Sequence, residues 1–259
     1  MIESWLDLPA RGVFAALIAL YGATGIIIAW AAFGWPLSRR VRHLEGVVAP
    51  FFGSVGILFA LLTGFLASDI ADRNRLAARA VQAETSELRN VFTLSVAASS
   101  DMRDIRAAWG EYVKAVVNDE WPAMEHSEEA ASANAAYDAL LREVSDPKIA
   151  TEAGAAVHAA LLNAAVRVGT ARSDRLALAS DRTSNLKWDI VLLLGIMTQV
   201  ALGLVHLHKR NALMAALTVF SVAAVIALGL IGLQERPFAG DVRIAPAALQ
   251  ELTKLTGPG

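Results

Sequence analysis

The chain has 259 residues, 55% of them hydrophobic and 19% charged, with no cysteine and a formal net charge of −2. Without cysteine there is no disulfide, no thiolate nucleophile and no cysteine-held metal or cluster. A balance so close to neutral also argues against the global basic field of a nucleic-acid binder, and no nucleic-acid partner is expected.

Taken in chain order, the apolar residues gather into four runs: 13–33, 47–67, 190–207 and 212–233. Each is close to the ~20 residues with which a helix crosses a bilayer. None contains Asp, Glu, Lys or Arg. The first is too long for a signal-peptide core, and Glu3, Asp7 and Arg11 before it do not make a basic leader, so it reads as a retained span.

The fold class expected is an all-α integral membrane protein. Four transmembrane helices form two hairpins around a long extramembrane helical bundle. Residues 1–67 make the first hairpin, 68–189 the bundle, 190–233 the second hairpin, and 234–259 an amphipathic tail.

The second run carries two patterns. Gly53, Gly56, Ala60 and Gly64 fall along one helical face, where small side chains let helices approach closely. Phe51, Val55, Phe59 and Leu62 form a neighbouring bulky stripe. That stripe packs as in any transmembrane helix, or, around a symmetry axis, makes a hydrophobic neck. No Pro or Gly lies between Gly64 and Gly110, so this helix is expected to continue into the polar segment. The same continuity is expected where residues 173–188 lead into the third run.

Within the polar segment, 19 acidic against 14 basic residues leave a mild negative balance. A 3.6-residue rhythm predicts helices over 76–94, 102–117, 131–144 and 150–180. Breakers are expected at 119–124 (DEWPAM) and at 145–148, where Asp146 before Pro147 suits the start of a new helix. The carboxylates Asp119, Glu120, Glu125, Glu128 and Glu129 read as a solvated acidic helix junction, and Glu84 and Glu87 as ion-paired to Arg89 or solvated.

The short loops carry Arg39, Arg40 and Arg42, then Lys209 and Arg210, which favours loops in the cytoplasm and the bundle outside. Pro237 and Gly240 mark a turn after the fourth run. A short amphipathic helix follows, which caps the bundle, packs on a neighbouring subunit or lies in solvent.

No phosphate loop, dinucleotide fingerprint, zinc-protease or nucleophile-elbow motif is present, so no catalytic residue, metal site or cofactor is nominated and no enzyme is expected. With no carboxylate inside a span, a proton-coupled pump is disfavoured, whereas passive conduction needs none.

Several strings carry a resemblance: FFGSVGILFALLTGF in the second run, AETSELRNVF after it, EYVKAVVNDEWPAM in the middle and RPFAGDVRIAPAALQEL after the fourth run. On these the chain resembles the bestrophin-like domain family of bacterial membrane proteins. Its motif positions here are Glu84, Tyr112, Glu120, Trp121, Pro122, Pro237, Phe238 and Gly240.

The resemblance implies a homo-oligomer, a pentamer, in the bacterial inner membrane. It further implies passive conduction of ions, anions by analogy, along an axis lined by the second helix. The acidic calcium clasp of animal bestrophins has no clear counterpart. Bestrophins keep the middle region in the cytoplasm, opposite to the loop charges. The partners expected are the lipid bilayer, like copies and permeant ions. The competing expectation is a non-conducting envelope sensor or scaffold acting through the bundle.

Overall fold

The computed structural model describes residues 3–6, 8–34, 49–98 and 100–256. Among these there is no strand. The first short loop, with Arg39, Arg40 and Arg42, lies outside the described residues, as does the side chain of Phe51.

In chain order the helices are α1 Glu3–Leu6, α2 Ala10–Phe33 and α3 Ala49–Ala97. Next come α4 Arg103–Ala115, a π-helical turn Val116–Glu120, and α5 Trp121–Met124. Then follow α6 Ala131–Val144, α7 Pro147–Glu152 and α8 Ala155–Ser180. The last are α9 Asn185–Val205, α10 Arg210–Gly232 and α11 Ala247–Thr253. Four of them, α2, α3, α9 and α10, are long and apolar enough to cross a membrane.

The chain divides into two units, one of residues 1–72 with 182–235, the other of 73–181 with 236–259. The division falls inside α3, which runs 49 residues without a break, as the missing Pro and Gly predict.

The first unit packs α2, the first part of α3, α9 and α10. Its core is apolar: Val13, Leu17 and Tyr21 meet Leu66, Ile70, Trp188, Val191 and Leu228. Close approach is bought with glycine. A Cβ at Gly195 would run into the Tyr21 hydroxyl, and one at Gly229 into the Phe14 ring. A neutral polar knot, among the described residues, joins three of its long helices. Gln199 donates to the Tyr21 carbonyl (2.9 Å) and the Ser221 hydroxyl (2.9 Å), and accepts from the Thr24 hydroxyl (2.5 Å). At the start of α9, Glu235 accepts from the Thr183 backbone N–H (2.7 Å) and the Trp188 indole N–H (3.2 Å). A carboxylate there suits the positive end of the helix.

The second unit is a helical bundle with one core, in which Ala77, Val81, Leu88 and Val91 of α3 meet Trp109, Tyr112 and Val113 of α4, Leu140 of α6 and Leu161 and Val168 of α8. The C-terminal helix caps it, with Leu249 and Leu252 fully buried in that core.

Three expectations are corrected. The predicted helix over 150–180 is two helices, because Gly154 sits at φ 91°, a conformation that ends α7 and starts α8. Residues 119–124 do not break the chain: they are π-helical and then α-helical, with Pro122 in the first turn of α5. And α8 does not continue into α9, since Asp181 turns extended (φ −74°, ψ 129°) and its carbonyl accepts from Arg73 (3.2 Å). At Asp146 the expectation and the structure agree: its carboxylate caps α7, accepting the Lys148 N–H at 2.9 Å.

Candidate functional site

Two features stand out, one on the second long helix and one inside the bundle. Along the apolar part of α3, the inward side is set by Leu66 and Ile70, both buried, with Phe59 and Leu62 half-buried against the same core. The Phe59 ring lies 5.5 Å from that of Phe220. Val55 is half-buried as well. The opposite side is bare. Ile57 is 68% exposed, Leu61 50% and Phe65 61%, at four-residue spacing, with Ser54, Leu58 and Gly64 beside them.

The small residues do not serve packing within this chain. A Cβ at Gly53 or Gly64 would meet nothing within 4 Å, at Gly56 only the end of the Phe52 ring at 4.0 Å, and Ala60 is exposed. The outward side of the helix thus has an apolar stripe flanked by open small residues.

The bundle feature is a set of buried charges. Arg175 of α8 is fully buried and holds Glu84 of α3 through two bonds, Nε to Oε2 at 2.6 Å and Nη2 to Oε1 at 3.2 Å. Its Nη2 also donates to Glu120 Oε1 at 2.6 Å. One turn earlier, Arg172 donates from Nε to both Glu120 oxygens (3.1 and 3.0 Å) and from Nη2 to Glu120 Oε2. Arg172 Nη2 also reaches Asn134 Oδ1 at 2.6 Å. The Tyr112 hydroxyl donates to Glu84 Oε1 at 2.7 Å. Two carboxylates and two guanidiniums make the set neutral, and each carboxylate oxygen has a donor, which is the condition under which charges tolerate burial.

The local sequence explains the placement. The π-helical turn adds a residue to the turn before Trp121, and Val116 and Glu120 both end up buried. Trp121 then lies under the Arg175 guanidinium, 5.2 Å from ring centroid to charge, and edge-on to Phe238 at 5.6 Å. Its indole N–H donates to the Ile244 carbonyl at 3.4 Å. Gly240, at φ 82°, lets the 237–244 loop fold back, closed by the Ile244 N–H on the Pro237 carbonyl at 2.8 Å.

Burial alone would lower the Arg175 guanidinium, but Glu84 and Glu120 more than restore it, so it is held above its ordinary value. Arg172 is raised in the same way, its burial overcome by Glu120. Burial, then the Glu84 charge, pushes the Tyr112 phenol well above its ordinary range. These groups hold each other fixed, and every oxygen of both carboxylates is engaged by a donor.

Of the motif residues, Glu84, Tyr112, Glu120, Trp121 and Phe238 therefore come together, with Pro122, Pro237 and Gly240 shaping the backbone around them. Glu120 is not part of a solvated junction: it is fully buried, because two arginines meet it. Glu84 pairs with Arg175 in place of Arg89, while Glu87 accepts from Asn90 at 3.1 Å and lies 3.5 Å from Arg167. Sequence reasoning missed Arg172, Arg175 and Asn134. For the arginines a signal existed: the buried face of α8 runs Leu161, Ala164, Ala165, Val168, Ala171 and continues into both of them.

A family model described as Bestrophin-like domain matches residues 19–249. No curated protein matches in sequence. Among solved structures, two variants of a bacterial bestrophin homolog from Klebsiella pneumoniae align with TM-scores of 0.73 and 0.69 at 14% and 13% identity. These alignments cover 93% and 95% of this chain and 96% and 99% of theirs. A variant described only as a membrane protein aligns at 0.71 and 12% identity, covering 93% of this chain and 95% of its own. At such identities the likeness is one of fold.

Proposed function

The chain belongs to the bestrophin-like domain family, and from that premise we propose that it is the subunit of an oligomeric ion channel whose conduction path is lined by the outward side of α3. The observation that carries this reading is the bare stripe Ile57, Leu61 and Phe65. Lipid would cover such a stripe on a lone helix. Around an axis the same stripe becomes a hydrophobic neck that gates by wetting and dewetting.

We assign the neck to these three residues in preference to Phe51, Val55, Phe59 and Leu62. Phe59 and Leu62 are engaged with the chain's own core and have little side chain left for an axis. The open faces of Gly53, Ala60 and Gly64 fit the same picture, since close contact there must come from another copy. A contact that joins one side of the helix to a different side of the next copy generates a ring. Five copies are taken from the family resemblance.

The membrane is taken to be the bacterial inner membrane. Loop charges put the bundle outside, and the bestrophin resemblance puts it inside; labelling the bundle with an impermeant reagent in intact cells decides between them.

Purified protein in planar bilayers tests the function. The channel reading expects single-channel currents whose size or open time rises in Leu61→Ala. No flux of chloride, sodium or potassium over a range of pH leaves the sensor or scaffold reading in its place.

A further inference from the structure

The bundle holds a cavity of about 340 Å³ beside the buried charge set, where Ser127, Glu128 and Glu129 face Arg172, Ser173 and Ser180 of α8. The backbone builds it. Ser127, at φ 59°, closes the turn after α5: its N–H donates to the Met124 carbonyl (3.0 Å) and the Glu128 N–H to the Ala123 carbonyl (3.1 Å). The Ser127 hydroxyl then donates to the Ala179 carbonyl near the end of α8 (3.4 Å), and Asn134 accepts from Arg172 at 2.6 Å. The chain from 127 to 134 therefore runs beside the last turns of α8, which brings both glutamates to the cavity.

The cavity carries both signs of charge. The Arg172 side chain is only 9% accessible. Its Nε and Nη2 are spent on Glu120 and Asn134, and its Nη1 has no partner among the described residues. The donors left on Arg172 are therefore the ones it can offer to the cavity that it lines. Glu128 and Glu129 are exposed and have no ion pair among the described residues. The end of α8 adds the negative pole of a 26-residue helix, with no basic side chain in its last turn. A bare metal ion does not suit the place, since no group of residues that could hold one occurs among the described residues. At ~30 Å³ for each water, the volume has room for a molecule of about ten heavy atoms.

We propose that this cavity binds a basic amino acid, with its carboxylate on Arg172 Nη1 and its two ammonium groups on Glu128, Glu129 and the carbonyl end of α8. An anion alone would face two carboxylates. A plain diamine would leave the guanidinium N–H groups unmet, and an unmet buried donor is costly. A basic amino acid answers both. The Ser127, Ser173 and Ser180 hydroxyls can donate or accept at either pole. Because Arg172 also holds Glu120, occupancy is felt by the buried charge set. The site lies wholly within residues 73–181 and does not depend on the pore reading.

The test is isothermal titration of the purified protein in detergent, with L-lysine as the probe. Saturable binding at one site per chain is expected. E128Q/E129Q is expected to weaken it about tenfold. E111Q/E152Q makes the same charge change at exposed acids elsewhere in the bundle and is expected to bind like unmodified protein. Because Arg172 belongs to the buried set, its role is read from the probe instead. 1,5-Diaminopentane, which is lysine without its carboxylate, and L-norleucine, which lacks the side-chain ammonium, are each expected to bind about tenfold more weakly than L-lysine. Unchanged melting of the glutamate variants shows that the bundle is kept.

Absence of saturable binding by L-lysine overturns the site. Undiminished binding in E128Q/E129Q, or an equal loss in E111Q/E152Q, also overturns it, since the glutamates of the cavity are then not what holds the probe. A diamine bound as tightly as L-lysine overturns the role of Arg172, and with it the amino acid as ligand.

Discussion

The two units bury polar groups in opposite ways. Among its spans the first unit allows a neutral knot, Gln199 with Thr24, Ser221 and the Tyr21 carbonyl, and otherwise packs apolar side chains against glycine. The bundle buries four full charges and balances them against one another. The difference fits the proposal that lipid surrounds the spans of the first unit and water surrounds the bundle. A helix in lipid gains nothing from hiding apolar surface, so shape has to hold it to its neighbours. A helix in water gains from burial, and its core can carry a costly charged set if that set is complete. Specificity in the first unit thus rests on fit, and in the second on charge pairing.

That contrast can be broken at either end. The largest effect is expected from Arg175→Met, which leaves Glu84 and Glu120 buried without their shared cation. Stripping one partner from a buried pair costs about 3–5 kcal/mol. Thermal unfolding followed by circular dichroism should show the bundle melting well below the unmodified protein, and an unchanged melt would mean that the charges are incidental.

Next in size is Gly195→Ala, whose Cβ meets the Tyr21 hydroxyl, with overpacking expected to cost about 1–3 kcal/mol. The matched control is Gly64→Ala, which meets nothing within the chain and should leave the stability of the isolated subunit unchanged. Equal behaviour of the two in detergent melts would contradict the claim that fit holds the spans together.

Tyr112→Phe removes a hydroxyl bonded to Glu84 at 2.7 Å, and a loss of about 1.5–3 kcal/mol is expected for a bond to a charged group. This variant also reads out pH. Because burial and Glu84 hold the folded phenol well above its ordinary 10.0, the folded chain keeps a proton that the unfolded chain sheds. The contribution is therefore constant below about pH 10 and is lost as pH rises beyond it. The bundle's alkaline loss of stability should be shallower in Tyr112→Phe.

Smallest of all is Gln199→Leu. Hydrogen bonds between membrane helices average about 0.6 kcal/mol, so its melt should move only slightly. A shift as large as that of Arg175→Met would erase the distinction between the units.

How much of this could be read in the sequence depended on the kind of signal. The spans were legible because charge-free apolar runs of that length have few other uses, and the continuity of α3 out of its apolar part because no Pro or Gly lies between Gly64 and its end at Ala97. The motif residues were legible as a set but not as a cluster. Glu84 belongs to the buried stripe Ala77, Val81, Leu88 and Val91, and Arg175 to that of Leu161, Ala165 and Val168. An acid on one apolar stripe and a base on another is a pairing signal, but which stripes meet is a matter of tertiary packing.

The π-helical turn had no signal, since Val, Asn and Asp before Glu120 read equally well as an α-helix giving way to a loop. On the second span the pattern showed two faces and not which one turned inward. That choice was made by Phe220, Leu66 and Tyr21, far apart in the chain. Small and bulky stripes on one helix are symmetrical evidence until a partner occupies one of them.

The absence of cysteine makes the central claim directly testable. Single cysteines placed at Leu61 and, separately, at Phe59 can be challenged with a charged, water-soluble thiol reagent during current recording in bilayers. If the outward side of α3 lines the path, the reagent blocks current in Leu61→Cys and leaves Phe59→Cys unchanged. Block at Phe59→Cys with none at Leu61→Cys would contradict the account.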